Sequence, residues 1–417
     1  VPAQPTKPGF ASSFSNLGEL RYFLAAAVPA GVAESAFTVL LGLHVYELTH
    51  STLSLGWLGL AEAIPAIGLV LPGGHVADSA SRRMVVTSTR LVLGCLALVL
   101  AIWSRHGAVG LLYGVAFAAG GVRAFDDPAA TGLEAEILPP GRMLQAVSLV
   151  ASVSRVSSLA GPVLGSLLYA AAGPEITFAA VAGLLALSAA TIRFGIAGRL
   201  APPPSGAGML TAIGEGLRYA FSRQVIVGSM ALDLFAVFFG GVTGLLPVFA
   251  LDILHIGPAG VGLLRAAPAI GALAAMLVTT RHPPRRHAGA ALHIAIAGFG
   301  LGVIVFGLSR SLPLSLAALV FAGACDGTSM VVRRAIVRLA VPDTLRGRVA
   351  AVRGLFLSAS NELGAFESGM AASLLGSVPA VWGGGVITLL VVAVTAWRAP
   401  QLRRLDMTHI GSDGYSV

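Results

Sequence analysis

Gly73-Gly74-His75-Val76-Ala77-Asp78-Ser79-Ala80-Ser81-Arg82-Arg83 separates two long apolar segments. An acid, two arginines and glycines near a helix end have the form of a latch between packed helices. The segments on either side of this loop can each span a membrane.

Composition agrees. The chain has 417 residues, 56% hydrophobic and 11% charged, with a mean hydropathy of +0.84. Soluble domains carry about 25% charge. So few charges cannot cover a water-facing surface, and a multi-pass membrane protein is the class that fits. Of the 27 basic residues only Lys7 is lysine, and the net charge is +8. Arginines at the cytoplasmic ends of spans account for that excess better than nucleic-acid binding does. Cys95 and Cys325 lie in apolar runs and read as free thiols. The first 20 residues are polar and Pro-rich, show no signal peptide, and are expected to form a cytoplasmic tail.

A spanning helix needs roughly 20 apolar residues. Twelve stretches qualify: 22–46, 54–77, 85–104, 108–130, 145–170, 175–196, 224–249, 259–280, 288–308, 312–338, 349–376 and 380–398. The polar linker 197–223, with Pro202-Pro203-Pro204-Ser205-Gly206, divides an N-terminal six-helix bundle (22–196) from a C-terminal one (224–398). Tails occupy 1–21 and 399–417. With the N-terminus inside, Arg82, Arg83, Arg142, Arg218, Arg286 and Arg403 share one side with most other arginines. The opposite side has only Arg105 and Arg310, so both termini are expected in the cytoplasm.

The halves are related. Pro65-Ala66-Ile67-Gly68 recurs as Pro268-Ala269-Ile270-Gly271, a displacement of 203 residues. The same displacement carries Gly59 to Gly262, Gly161 to Gly364 and Arg82-Arg83 to Arg285-Arg286. The chain is therefore read as two parallel repeats, an arrangement that places a substrate site at their interface near mid-membrane.

An ionisable group at the centre of a spanning helix costs about 2.5–3.5 kcal/mol on insertion scales. This chain places Glu34, Glu62, Arg123, Arg155, Asp233, Arg265, Asp326 and Glu362 inside its spans. They must face a cavity or one another. The displacement maps Glu62 onto Arg265 and Arg123 onto Asp326, so each pair of equivalent positions carries opposite charges. Pairing across the interface is the expectation. Glu62, Arg265 and Arg155 read equally as structural ion pairs or as functional groups. Glu34, Arg123, Asp233 and Asp326 read as functional: a carboxylate whose arginine neighbour moves between two conformations can load and release a proton.

Span 5 holds Gly161-Pro162, where small residues permit close helix contact and proline bends the chain. Asn361 and Glu362 form a polar turn in span 11, either a second proton or ligand site or a simple interhelix hydrogen bond. Phe235 on span 7 is a candidate to stack on a ligand ring. No phosphate loop with lysine, His-Glu-x-x-His or nucleophile elbow occurs. No enzyme, cofactor or metal centre is therefore expected. A metal-ion exporter would want clustered soft or carboxylate ligands, and a non-transporting receptor would want a sizeable soluble module.

The opening stretch, Gly-x-x-x-Asp-x-x-x-Arg-Arg, resembles the loop between the second and third helices of the major facilitator superfamily, with Ser79 and Ser81 where that loop usually has a basic residue and glycine. Gly161-Pro162-x-x-Gly165-Ser166 resembles the span-5 motif of its antiporters, with serine also at 148 and 157 in place of glycine. Arg123-Ala124-Phe125-Asp126-Asp127-Pro128-Ala129, Gly216-Leu217-Arg218-Tyr219 and Leu246-Pro247-Val248-Phe249-Ala250 look like its transmembrane secretion effector branch. Val341-Pro342-Asp343-Thr344-Leu345-Arg346-Gly347-Arg348-Val349 and Ser360-Asn361-Glu362-Leu363-Gly364-Ala365-Phe366-Glu367-Ser368-Gly369 closely resemble the enterobactin exporter family.

The resemblance implies an all-α twelve-helix protein of the bacterial inner membrane. It implies a monomer in membrane lipid that exports a small organic molecule by alternating access, driven by protons, with no nucleic-acid partner. A catecholate siderophore is the leading substrate, and multidrug or macrolide efflux the alternative. In this superfamily spans 1, 4, 7 and 10 line the cavity. That makes Arg123 the candidate to hold catechol oxygens, with Phe235, Asn361 and Glu362 as further contacts. Glu34 and Asp233 are the proton-coupling candidates, and Asp326 is the switch partner of Arg123.

Gly74, Asp78, Arg82, Arg83, Gly161 and Pro162 are the gating candidates. Asp78 maps onto Arg281, so the latch has an acid in one half only. Asp78 is expected to anchor near the start of span 11, whose helix N-terminus favours an anion, and so to stabilise the outward-open state.

Overall fold

The computed structural model describes residues 18–104, 107–138, 143–198, 209–281, 286–341 and 343–407. Its helices are α1 Leu20–Thr49, α2 Thr52–Gly68, α3 Val70–Ser79, α4 Arg82–Trp103, α5 Val109–Ile137, α6 Met143–Gly195 and α7 Met209–Ser222. The second half adds α8 Gln224–Gly240, α9 Gly257–Arg281, α10 Ala288–Leu308, α11 Leu312–Ala340, α12 Asp343–Leu375, α13 Ser377–Arg398 and α14 Pro400–Arg403. Among the described residues nine helices are long and apolar enough to cross a membrane, or ten if one bent pair is a single span. The chain is a helical multi-pass membrane protein.

Local sequence explains the breaks. His50 leaves α1 in the left-handed region, at φ 46°. The Ser51 side chain then accepts a hydrogen bond from the Ser54 backbone N–H at 3.4 Å and caps α2. The stretch 54–77, expected as one helix, is α2 and α3 bent by 48°. Pro65, one turn before the bend, lacks a backbone N–H and weakens the helical ladder there. The 53-residue α6 contains Gly173 at φ 81° and ψ 176°. That conformation suits glycine alone, and with Pro174 behind it, it separates the two helices expected at 145–170 and 175–196.

The expected helix 224–249 stops at Gly240. The chain continues as a 3₁₀ turn Thr243–Leu245, a short helix Leu246–Val248 and a π turn Phe249–Ile253. π turns of this kind concentrate at functional places in helices.

Among the described residues the two halves share a core around the α1–α2 turn. Around the α1–α2 turn, Phe37, Leu40, Leu55 and Leu58 of the first half join Leu245, Phe249, Leu264 and Phe306 of the second in one buried cluster. The Gly56–Gly369 crossing brings α2 and α12 into backbone contact, and Trp57 meets Phe366 edge-on at 5.3 Å. At the opposite end, near Ala80–Ser81, the described residues form separate buried clusters. One gathers Leu20, Phe23, Val86, Leu133 and Ile192; another gathers Val225, Leu232, Leu292, Ile336 and Leu402. The linker contains α7, whose Ala220 packs with Ile226, Val341 and Val349 of the second half. Buried apolar area drives such association at roughly 25 cal/mol per Å² where water is excluded from both faces. Among the described residues, only the α1–α2 end carries such a cluster between the halves.

Candidate functional site: a charged interior in each half

In the first half the centre is Glu62 with Arg123. Gly120 faces the Glu62 backbone carbonyl so closely that a Cβ would collide with it. The missing side chain lets α5 approach α2, and Arg123, one turn on, lands beside Glu62. The guanidinium forms an ion pair with Glu62 and its Nη2 donates to Thr38 Oγ1 at 2.8 Å. Glu62 is buried and Arg123 about a quarter exposed.

Glu34 lies partly exposed on α1, within the field of Asp126, Arg90, Arg123 and Asp127. Asp126 is buried and accepts a hydrogen bond from Thr89, while Asp127 is exposed. Arg90, 5% exposed, donates from Nη1 to Ser188 Oγ at 2.6 Å. Ser188 in turn donates to the Ala26 carbonyl at 2.8 Å.

In the second half the centre is Arg333. It forms an ion pair with Asp233, its Nη2 reaches Asp326 Oδ1 at 3.4 Å, and its Nε donates to the Ser329 carbonyl at 3.3 Å. Asp326 and Arg333 are two turns apart on α11 and therefore share a face.

The pairing expected across the halves is not what the structure holds. Glu62 is engaged by Arg123 rather than Arg265, and Asp326 lies with Arg333 rather than Arg123. The Gly120 approach and the seven-residue spacing on α11 place suitable partners inside each half, where no motion is needed to meet them. Arg265 is partly buried on α9. Arg155 is exposed, and its Nη2 contacts Met330 Sδ of the other half at 3.9 Å, one turn from Asp326. It is a cation at the boundary between the halves, and its charge acts on Asp326. Phe235 is 41% exposed and stacks on Phe239 at 6.3 Å. Asn361 is exposed. The side chain of Glu362 lies outside the described residues.

The gating residues divide. Gly73, not Gly74, is the buried glycine, and it packs against the Ala124 carbonyl. Arg82 Nη1 donates to Glu136 at 2.8 Å and to the Gly132 carbonyl at 3.2 Å. Arg83 Nη1 donates to the Ile196 carbonyl at 2.9 Å. Asp78, 63% exposed, is 3.7 Å from Arg82 in its own turn. Gly161 packs on Ser35 and Val32 of α1, and the Pro162 carbonyl faces Gly262 of the second half.

Two groups escaped the sequence reading, Arg333 and Arg90. Both sit toward the arginine-rich ends of their spans. The signal for Arg333 was its seven-residue spacing from Asp326. No group of three or more His, Cys, Asp or Glu placed to hold a metal ion occurs among the described residues.

The family model for transmembrane secretion effectors matches residues 20–414. The chain belongs to that family. As a secretion effector it is a transporter rather than an enzyme, in the company of two curated kinds of pump. It is 27% identical to the multidrug efflux pump Tap of Mycolicibacterium fortuitum over 405 residues, covering 94% of this chain and 98% of that one. It is also 27% identical to the enterobactin exporter EntS of Citrobacter koseri over 358 residues, covering 81% and 80%. In fold it is similar to the nucleoside transporter NupG, with a TM-score of 0.71 at 14% identity over 93% of this chain and 98% of that one. It is similar too to a bacterial homologue of the lysosomal transporter Spinster, crystallised inward-facing and unoccupied. There the TM-score is 0.68 at 16% identity, covering 95% and 97%.

Proposed function

We propose that this secretion effector is a twelve-helix, proton-coupled exporter of a small organic molecule, seen here with its substrate path open to the cytoplasm. The ten possible spans become eleven when α6 is divided at Gly173, and α12 supplies the twelfth. The observation that carries the reading is the unequal packing of the halves among the described residues: one shared core around the α1–α2 turn, separate clusters around Ala80–Ser81. The arginine bias assigns the second end to the cytoplasm. Exposure of Asp78 there fits a latch that has let go, to be engaged when the halves rock and that end closes.

The interior supports proton coupling. Glu34 is a carboxylate without a hydrogen bond or ion pair to its side chain among the described residues. Asp326 is partly exposed and held at 3.4 Å by one arm of Arg333. Either can exchange a proton with water in the cavity during alternating access. For the substrate, a catecholate siderophore is supported by the likeness to EntS and by Arg155, a cation at the boundary suited to electron-rich oxygens. Arg123, expected in that role, is already held by Glu62 and Thr38. Multidrug efflux has its own support in the likeness to Tap and in the exposed carboxylates Asp127 and Asp326, which suit a cationic drug.

The test is transport in inside-out vesicles with an imposed proton gradient, using enterobactin and ethidium as separate probes. Proton-driven accumulation of either supports the reading, and the probe that moves decides the substrate class. Unchanged proton-driven transport in Glu34→Gln, Asp326→Asn and the double variant would refute the coupling role given to these acids.

A further inference from the structure

Arg333 is 4% exposed, yet its guanidinium reaches two carboxylates on different helices. One arm pairs with Asp233 on α8. The other lies 3.4 Å from Asp326 on its own helix. The two acids differ in access: the Asp233 side chain is 7% exposed and that of Asp326 is 40% exposed. The first half neutralises its buried acid more simply, with Glu62 and Arg123 in direct contact. A buried ion pair is weak support for stability, because desolvation offsets most of its attraction. Adding a second, looser and more exposed carboxylate to such a pair gains little as glue. It does give the cation two places to go.

The neighbourhood is built for that choice. Arginine can bind two carboxylates through separate arms of a planar fork, which lysine cannot do. Arg155 approaches from the other half through Met330. Among the described residues, the other charged or titratable groups on α11 and the elements packed against it include Arg334 and Arg338 on α11 itself, Arg265 on α9, His293 on α10 and Glu367 on α12. His293 Nδ1 is held by the Gly289 carbonyl at 2.7 Å, and Glu367 by Ser368 Oγ at 3.4 Å. Arg333 is thus the group already in contact with both acids.

We propose that Arg333 is the moving positioning group of proton coupling: it holds Asp233 while Asp326 faces the cytoplasmic path, and shifts onto Asp326 as the halves rock. The inference rests on the export reading above and deepens it. In the opposite state Asp233, freed by the guanidinium, takes a proton from external water. As the guanidinium returns to Asp233 it displaces that proton onto the Asp326 carboxylate it has just left, and Asp326 gives it to cavity water in the state seen here; the guanidinium stays charged throughout. No other reactant is needed.

The experiment uses the full chain in proteoliposomes, with enterobactin and ethidium as probes in two assays: transport driven by a proton gradient, and substrate counterflow without one. Wild type lacking gradient-driven transport of both probes would remove the export reading and this inference with it. Given a coupled wild type, Arg333→Lys is expected to lose gradient-driven transport about tenfold while counterflow stays within about threefold, and to shift the pH of half-maximal transport by about one unit. The paired variant Arg333→Gln with Asp233→Asn, which leaves no buried charge unpaired between these two positions, and Asp326→Asn, which leaves the Arg333–Asp233 pair intact, should show the same uncoupling. Retained coupling in these variants, or a parallel fall of both assays with an unmoved pH profile, would overturn the proposal.

Discussion

The Tyr46 hydroxyl, near the end of α1, donates a hydrogen bond to Asp252 in the π turn after α8, tying the first half to the second at the end where they share a core. Beside it, Tyr169 donates to Glu47 Oε2 at 2.5 Å and contacts His44 Nδ1 at 2.7 Å. With its own hydrogen given to Glu47, the Tyr169 oxygen accepts from His44. The polar groups at this end therefore form a rigid frame within the first half, and Tyr46 extends it to the second.

Tyr46→Phe removes the tie and keeps the ring. A hydrogen bond to a charged group contributes about 1.5–3 kcal/mol net, enough to change a two-state ratio roughly ten- to a hundredfold. The variant should move toward the state open at the α1–α2 end. Spin labels at Leu53 and Leu374, both exposed, should then report a longer distance. An unaltered distribution would show that the apolar core alone keeps that end closed.

Asp78→Asn probes the other end. Here Asp78 is largely exposed and its partner is one turn away, and exposed pairs of this kind contribute about 0–1 kcal/mol. Thermal stability in the state described should hardly change. The state closed to the cytoplasm should lose its anion at the latch, so the population moves further inward-open. An engineered cavity cysteine should label faster from the cytoplasmic side, and an unchanged labelling rate would count against the latch.

The membrane-spanning character and the family pattern were legible because lipid imposes length and apolarity directly on sequence, and because the family's motifs stand at fixed places in it. The charged interior was legible only in part. That Glu62, Arg123, Asp233 and Asp326 need charged partners came from the cost of burying charge. Which pairs they form did not. Partner choice depends on interhelix distance, set by a single small residue such as Gly120, and on rotation about the helix axis, which the displacement between repeats does not encode. The bend between α2 and α3 and the π turn after α8 were hidden for a related reason: both fall inside runs apolar enough to be read as one span.

Glu62→Gln breaks the Arg123–Glu62 ion pair, whose acid is buried. Removing one member of a buried pair costs about 3–5 kcal/mol, so a clear fall in melting temperature is expected. Thr38 retains one hydrogen bond to the guanidinium and limits the loss. The double variant Glu62→Gln with Arg123→Gln should recover most of the stability, since neither position then carries a charge. A double variant as unstable as the single would mean that the pair holds α2 and α5 together through shape, not charge.

Arg155→Ala separates the two substrate readings. Its contact with Met330 is a weak one to sulfur, so removing the side chain should leave folding and expression unchanged. A guanidinium facing catechol oxygens forms two parallel charge-assisted hydrogen bonds, and losing them costs roughly 1.5–3 kcal/mol of binding. The KM for enterobactin should therefore rise at least about tenfold, with Arg155→Lys intermediate because an ammonium cannot bind as a fork. A cationic probe such as ethidium gains nothing from Arg155 and is repelled by it, so its KM should stay level or fall. A KM for enterobactin that Arg155→Ala does not move would leave the exposed carboxylates Asp127 and Asp326 as the groups that choose the cargo, and would favour efflux of cationic drugs.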